Sequence, residues 1–300
     1  DGADAVVMIE NTQLVGEDEV EIRKPAAPGE NVIQVGEDIT PGETILRAGH
    51  RLRAQDIGGL LSLGITIVEV VQQPQVAIFA TGDEIVPPDR ATEIGQIRDI
   101  NSYTIADLVR KAGGKPLRLG ILPDDFDTLL ARSRAALEDG ADLLVLSAGS
   151  SVSVRDMTSE VFNQLGEPGV LVHGLAVRPG KPTILAVANG IPLMGLPGNP
   201  VSAMVQFMLT GVPLVYHLQG TTPPHPNIRY ARLLTNIASA AGREDHVPTR
   251  LIEREGEWWA EPIFFKSNLI FTLVGADGLL KVPIDKTGLE AGEWVEVRIF

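Results

Sequence analysis

The stretch Gly195-Leu-Pro-Gly-Asn-Pro-Val-Ser-Ala203 reads as the end of a buried strand, a tight loop and the first turn of a helix. Its Pro-Gly pair punctuates the chain. Asn199 suits the residue that caps a helix, and Pro200 suits the first helical position, where a missing N–H is no loss. A helix start placed at a strand end directs free N–H groups toward an anion. Shortly before it, Arg178-Pro-Gly-Lys-Pro182 forms a second rigid loop with a basic residue on each side of its Pro-Gly pair. Together the two loops point to a pocket for an oxyanion or phosphate.

Outward from these loops, the segment 74–220 alternates strands and helices. Strands are expected over 75–80, 116–121 and 142–147, with helices over 102–112, from Asp124 or Asp125 to 139, and near 157–165. Shorter strands follow around 170–176, 183–187 and 191–195, then a long helix over 201–218. Such alternation implies a mostly parallel sheet covered on both faces, with ligands outside the carboxyl ends of its strands. A Pro-rich linker, Thr221-Thr-Pro-Pro-His-Pro226, precedes residues 227–300, which carry only strand signals and read as an all-β barrel or sandwich. Residues 1–36 read as short strands, including 6–9 and 19–23. Residues 37–73 hold a helix over 54–63 and a strand over 66–71. The fold class is thus α/β, with a central domain at 74–220, a C-terminal β domain at 227–300, and an incomplete N-terminal β/α portion divided into 1–36 and 37–73.

The 300 residues carry a net charge of −14, which argues against nucleic acid or a membrane surface as a partner. An anionic ligand therefore needs a local cationic pocket. The chain has no cysteine, which removes disulfides, thiolate metal sites and cysteine nucleophiles. Its five histidines show no paired ligand spacing, which argues against zinc. No apolar run reaches the ~18 residues of a membrane span and no signal peptide opens the chain, so the cytoplasm is the expected compartment.

Several constellations bear on chemistry. Thr81-Gly-Asp-Glu84 follows the first strand of the α/β segment, where its acids either hold a metal or a ligand hydroxyl, or are simply solvated. Asp99 and Asn101 read first as caps of the following helix. Ser147-Ala-Gly-Ser-Ser-Val-Ser153 supplies small residues and hydroxyls that suit phosphate oxygens, or a flexible connector. It matches neither the Walker A nor the Gly-x-Gly-x-x-Gly pattern. Asp156 reads as a helix cap or a catalytic carboxylate. Gly36-Glu-Asp-Ile39 is an acidic turn, and Trp258-Trp259 reads as packing for the β domain.

The order of motifs carries more than any one of them. Val35-Gly-Glu-Asp-Ile39, Leu63-Gly-Ile65, Phe79-Ala-Thr-Gly-Asp-Glu84, Gly95-Gln-Ile-Arg-Asp-Ile-Asn-Ser102, Leu119-Gly-Ile-Leu-Pro-Asp-Asp125, Ser147-Ala-Gly, Arg178-Pro-Gly-Lys-Pro182 and Gly195-Leu-Pro-Gly-Asn-Pro-Val-Ser-Ala203 occur in one sequence. This order resembles the MoeA family, the molybdopterin molybdenumtransferases, which includes the gephyrin E domain. The likeness spans essentially the whole chain and is strongest over 74–218.

The resemblance implies a central molybdopterin-binding domain and an enzyme that inserts molybdate into adenylylated molybdopterin with release of AMP. The other readings it leaves open are a molybdopterin-binding or scaffold protein without turnover, and a molybdopterin adenylyltransferase. It implies a homodimer whose cleft draws on both subunits, with a molybdopterin adenylyltransferase or a separate N-terminal polypeptide as a further partner. Carried onto this chain, the family's catalytic positions fall on Asp38, Asp156 and Lys181. Substrate-binding positions fall on Thr81, Gly82, Glu84, Ser147, Gly149, Ser150, Arg178, Pro197, Asn199, Pro200 and Ser267. Asp38, Glu84 and Asp156 are the expected ligands of a Mg²⁺ bridging phosphate oxygens. Three departures from the family pattern stand out. The family's N-terminal stretch has no counterpart, so an N-terminally truncated member is expected. Ala148 stands where glycine is common, and Arg178 where lysine is frequent.

Overall fold

The computed structural model describes residues 2–148, 152–264 and 266–300, with backbone only over 152–155. The chain divides into two compact units, Asp1–His50 and Arg51–Phe300.

In the first unit a short 3₁₀ turn, Ile9–Asn11, leads into an antiparallel hairpin of β1 (Thr12–Leu14) and β2 (Val20–Ile22). The strand expected over 6–9 does not form. Val6 instead donates its N–H to the Glu30 carbonyl at 3.0 Å and accepts from Asn31 Nδ2 at 2.8 Å, so loop contacts satisfy its backbone. Asp38 lies exposed in the acidic turn. There Gln34 N–H donates to the Glu37 carboxylate at 2.7 Å, and Glu37 N–H donates back to the Gln34 carbonyl at 3.0 Å.

The second unit opens with α1 (Ala54–Ser62). The Asp56 carboxylate closes its first turn, accepting from the Arg53 N–H at 2.8 Å and from the Arg53 guanidinium at 2.9 and 3.0 Å. The expected strand over 66–71 is absent. Ile67 and Val70 are exposed, and among the described residues no neighbouring strand pairs with this run.

The central sheet is built on β3 (Gln75–Thr81). A parallel two-residue pair, β4 (Ile85–Val86) and β5 (Ile97–Arg98), follows it and leads to α2 (Asn101–Lys111). Then come β6 (Lys115–Leu122), α3 (Phe126–Glu138), β7 (Leu143–Ala148) and α4 (Val152–Leu165). After these follow β8 (Pro168–His173), β9 (Val177–Arg178), β10 (Ile184–Ala188) and β11 (Ile191–Pro197). The sheet order is β6-β3-β7-β11-β10-β8, parallel as far as β11 and antiparallel beyond it.

The interior strands β3 and β7 are buried on both faces, which explains their unbroken apolar sequences. Phe79, Leu129, Leu146 and Phe162 pack on one side of the sheet, and Ile78, Ile105, Val145 and Phe207 on the other. The register pairs Ala80 with Ser147 and Ala148 with Pro197. The carboxyl ends of β3, β7 and β11 are thereby gathered at one edge.

Two helix starts differ from the sequence reading. Asn101 is the first residue of α2 and not its cap, and of the two candidates Asp99 bonds the first turn, its carboxylate accepting from the Ser102 N–H at 3.1 Å and from the Ser102 hydroxyl. Helix α4 begins at Val152, so Asp156 lies within the helix and not at its cap. The long helix runs as α5 (Pro200–Gln206), a π-helical stretch over Phe207–Gly211 and α6 (Val212–Leu218). Taken as Pro200–Leu218 it is long and apolar enough to cross a membrane, contrary to the reading that no segment is. Here its apolarity belongs to the core, since Val201, Ala203, Val205, Phe207 and Val215 are buried.

The C-terminal strands are β12 (Ile228–Leu233), β13 (Ile237–Ala238), β14 (Glu244–Arg254) and β15 (Glu257–Pro262). A short helix α7 (Phe271–Val274) precedes β16 (Gly278–Val282), β17 (Gly288–Leu289) and β18 (Trp294–Ile299). The order β15-β12-β18-β16-β14 is closed by pairing of β14 with β15, which makes a small barrel. Ala231, Leu233, Val247, Ala260, Leu280 and Val297 fill it. Strand β9, from the α/β segment, adds to the outer side of β14 in parallel.

Phe162 is fully buried between α4 and the sheet. Phe162→Ala is expected to destabilise the protein by about 3–5 kcal/mol. A denaturant midpoint unchanged from the wild type would contradict this account of the core.

Candidate functional site

Two cavities open where the loops converge. The larger, about 760 Å³, is lined by Arg178, Lys181, Asn199, Arg243, Lys266 and Ser267, with Pro197 in its wall. The smaller, about 480 Å³, is lined by Glu84, Asp99, Asn101, Ser147, Asn199 and Pro200 among others. Asn199 faces both.

The Asn199 position is a compromise between helix and barrel. It occupies the cap position of α5 with Pro200 next, as the sequence suggests, but makes no side-chain cap bond. Its Nδ2 instead donates to Ser267 Oγ at 3.0 Å, and the Val201 N–H donates to the Ser267 carbonyl at 3.1 Å. A segment of the C-terminal region thus docks on the first turn of α5 and brings Ser267 and Lys266 to the larger cavity.

The loop bearing the basic pair is fixed from beneath. Gln206, fully buried on α5, donates from Nε2 to the Pro179 carbonyl at 2.7 Å. Gly180 has φ +105°, and a Cβ there would overlap the Gln206 side chain, so only glycine fits. The loop holds Lys181 exposed at the cavity, and among the described residues neither Lys181 nor Lys266 forms an ion pair. Arg178 arrives through the pairing of β9 with β14, which sets it opposite Asp245. The buried Asp245 carboxylate takes Arg243 through a fork, Nε at 2.8 Å and Nη2 at 3.3 Å. Arg178 Nη1 lies 3.7 Å from the same carboxylate.

Ser147 closes the smaller cavity at the end of β7. Asn101 Nδ2 donates to Ser147 Oγ at 2.8 Å and to the Gly198 carbonyl at 2.9 Å. Asn101 therefore ties the end of β7 to the loop after β11, a role that the capping reading did not foresee. Its Oδ1 and Thr81 Oγ1 are buried acceptors without a hydrogen-bond partner among the described residues. Thr81 ends β3 and Gly82 follows at φ +149°, with the Glu84 carboxyl folded back against it. Neither Thr81 nor Gly82 lines either of these two cavities, whereas Glu84 lines the smaller.

Asp156 is exposed on α4 and lines neither cavity, and Asp38 belongs to the other unit. Gly149 and Ser150 lie outside the described residues. Among the described residues no three histidine, aspartate or glutamate side chains come close enough to enclose a metal ion. The acidic neighbours that act on Asp124 are Glu84 and Asp83. Partial burial raises the Asp124 carboxyl above its ordinary range, and these two negative charges raise it further. Sequence reading missed Arg243, Asp245 and Lys266. The only local signal was Gly242-Arg-Glu-Asp245 ahead of a long strand, and Lys266 beside Ser267.

Because its folded pKa is raised, Asp124 favours the folded state while protonated, and this contribution is lost as pH rises from about 4. Asp124→Asn is expected to raise the thermal midpoint at pH 8 more than at pH 4. An equal shift at both pH values, or a lower midpoint at pH 8, would contradict a carboxyl raised by burial and by the charges of Glu84 and Asp83.

Comparisons with known proteins bear on the whole chain. Residues 77–217 match the family model described as "Probable molybdopterin binding domain". Residues 1–64 match the MoeA N-terminal region, domains I and II, and residues 230–300 the MoeA C-terminal region, domain IV. The molybdopterin molybdenumtransferase of Haemophilus influenzae is 31% identical over 307 residues, covering 100% of this chain and 74% of that protein. The molybdopterin molybdenumtransferase of Bacillus subtilis is 32% identical over 303 residues, covering 100% of this chain and 70% of its own. A crystal structure of a molybdopterin biosynthesis MoeA protein from Pyrococcus horikoshii superposes with a TM-score of 0.79 at 36% identity, over 99% of this chain and 72% of that one. With all three family regions matched in order along its length, the chain belongs to the MoeA family.

Proposed function

We propose that the protein inserts molybdate into adenylylated molybdopterin and releases AMP, a step of molybdenum cofactor biosynthesis. The observation that carries this reading is the larger cavity. It collects Arg178, Lys181, Arg243 and Lys266 in a chain of net charge −14, and it shares Asn199 with a second cavity. Molybdate is a compact dianion, and fixed cations with hydroxyl and amide donors suit it. The substrate is long, and the adjacent cavity offers Asn101 and Ser147 as hydrogen-bonding groups, with Glu84 suited to a ligand hydroxyl or a cation rather than to phosphate. The relatives are named for molybdopterin and for molybdenum transfer, and the charge of the site suits an oxyanion.

Cleaving a phosphoanhydride asks for charge neutralisation and alignment more than for a covalent group. Lys181 and Arg178 would neutralise charge on the phosphate and the oxyanion. Thr81, Gly82, Ser147, Gly149 and Ser150 would hold the molybdopterin end. Pro197, Asn199, Pro200 and Ser267 would shape the molybdate end. Mg²⁺ commonly takes one or two carboxylates and completes its shell with substrate phosphates and water. Asp38, Glu84 and Asp156 each carry the oxygen donors such an ion takes one or two at a time, and the ion would supply charge neutralisation at the phosphates. A homodimer working in the cytoplasm completes the proposal.

The deciding assay supplies adenylylated molybdopterin with molybdate and follows AMP. Molybdate-dependent AMP release is expected. Adenylylation of free molybdopterin by ATP would instead indicate an adenylyltransferase, and binding without turnover a binding protein. Full activity in excess chelator would rule out Mg²⁺. Lys181 is exposed, so Lys181→Ala is expected to weaken molybdopterin binding with little change in thermal midpoint. Unaltered affinity would remove Lys181 from the site.

A further inference from the structure

We infer that Asp245 is the positioning residue of the oxyanion cavity: one buried carboxylate clamps Arg178 and Arg243 and aims their remaining donors at the anion. The inference rests on the reading of the larger cavity as the molybdate site.

The argument begins with burial. The Asp245 side chain is 3% exposed, whereas Arg243 is 38% and Arg178 53% exposed. The carboxylate is therefore the fixed partner, and the guanidiniums reach outward from it to the cavity wall. Arg243 spends Nε and Nη2 on Asp245, which leaves Nη1 without a bond to that carboxylate. Arg178 turns Nη1 toward the same carboxylate, and its other nitrogens are not engaged by Asp245.

Two guanidiniums side by side repel, and without a shared counter-charge they would separate into solvent. A fork to carboxylate fixes the plane of Arg243 as well as its distance, which an ammonium in its place would not achieve. The backbone supports the clamp independently, because Asp245 and Arg178 are register partners in the parallel β14–β9 pairing. Lys181 and Lys266 have no such anchor among the described residues. The cavity thus combines two oriented cations with two adaptable ones.

Asp245→Asn is isosteric and leaves no buried charge behind, since both arginines reach solvent. Its thermal midpoint is expected to stay near that of the wild type. Affinity for inorganic molybdate, measured by calorimetry, is expected to fall on the order of tenfold. In an Arg178→Ala, Arg243→Ala background the same substitution is expected to change affinity by less than about twofold, since its effect runs through the arginines. Arg243→Lys changes an outward-reaching side chain, keeps its charge and loses the fork, and is expected to weaken molybdate binding comparably. In the ligand-free protein the Arg243 Nε–H signal is expected to be protected from exchange, and to lose that protection in Asp245→Asn. Unchanged or tighter molybdate binding by Asp245→Asn, or an equal loss in the arginine-free background, would overturn the inference. If the wild type bound no molybdate, the functional reading would fall, and the Nε–H signal would still decide whether the clamp exists.

Discussion

The parallel pairing of Val177–Arg178 with Glu244–Asp245 is the contact on which the site depends. It takes two residues from a loop of the α/β segment and makes them the outer strand of the C-terminal barrel. Two regions far apart in sequence thereby become walls of one cavity. The pairing is short, and side chains reinforce it: Gln206 holds the Pro179 carbonyl from below, and Asn199 with the Val201 N–H holds Ser267 from the other direction. Each of these groups is polar, and Gln206 and the Val201 N–H are shielded within the fold. Losing one would leave a partner unsatisfied, so the contacts form together.

This arrangement explains how an acidic protein offers a cationic pocket. The net charge of −14 is spread over the surface, while the cavity concentrates Arg178, Lys181, Arg243 and Lys266 within a few loops. Asp245 offsets one of those charges and lets two guanidiniums approach. The smaller cavity differs in character. Asn101 and Ser147 supply hydrogen bonding there, and Glu84 and Asp99 supply negative charge. A substrate lying across both would meet cations at one end and mixed polar groups at the other.

Much of this was legible in the sequence. The apolar runs of β3 and β7, the Pro-Gly loops and the five barrel strands each carry a local signature, and the structure places them close to where periodicity and turn residues do. What was not legible depends on partners distant in sequence. Arg243 and Asp245 lie far beyond Arg178, and only the β9–β14 register brings them together. Asn101 looks like a cap, but Asp99 takes that bond and frees Asn101 to join Ser147 to Gly198. Asn199 stands at a cap position with its side chain turned to Ser267. The runs at 6–9 and 66–71 have strand-like composition without a neighbouring strand to complete a ladder. The acidic positions Asp38, Glu84 and Asp156 were inferred through resemblance, and of the three only Glu84 lines one of the two cavities.

The larger cavity is proposed as the oxyanion site. Its most direct test is anomalous diffraction at the molybdenum edge from crystals equilibrated with molybdate. A peak is expected within hydrogen-bonding reach of Arg178, Lys181, Arg243 and Ser267. A fully occupied peak elsewhere, with none in this cavity, would contradict it.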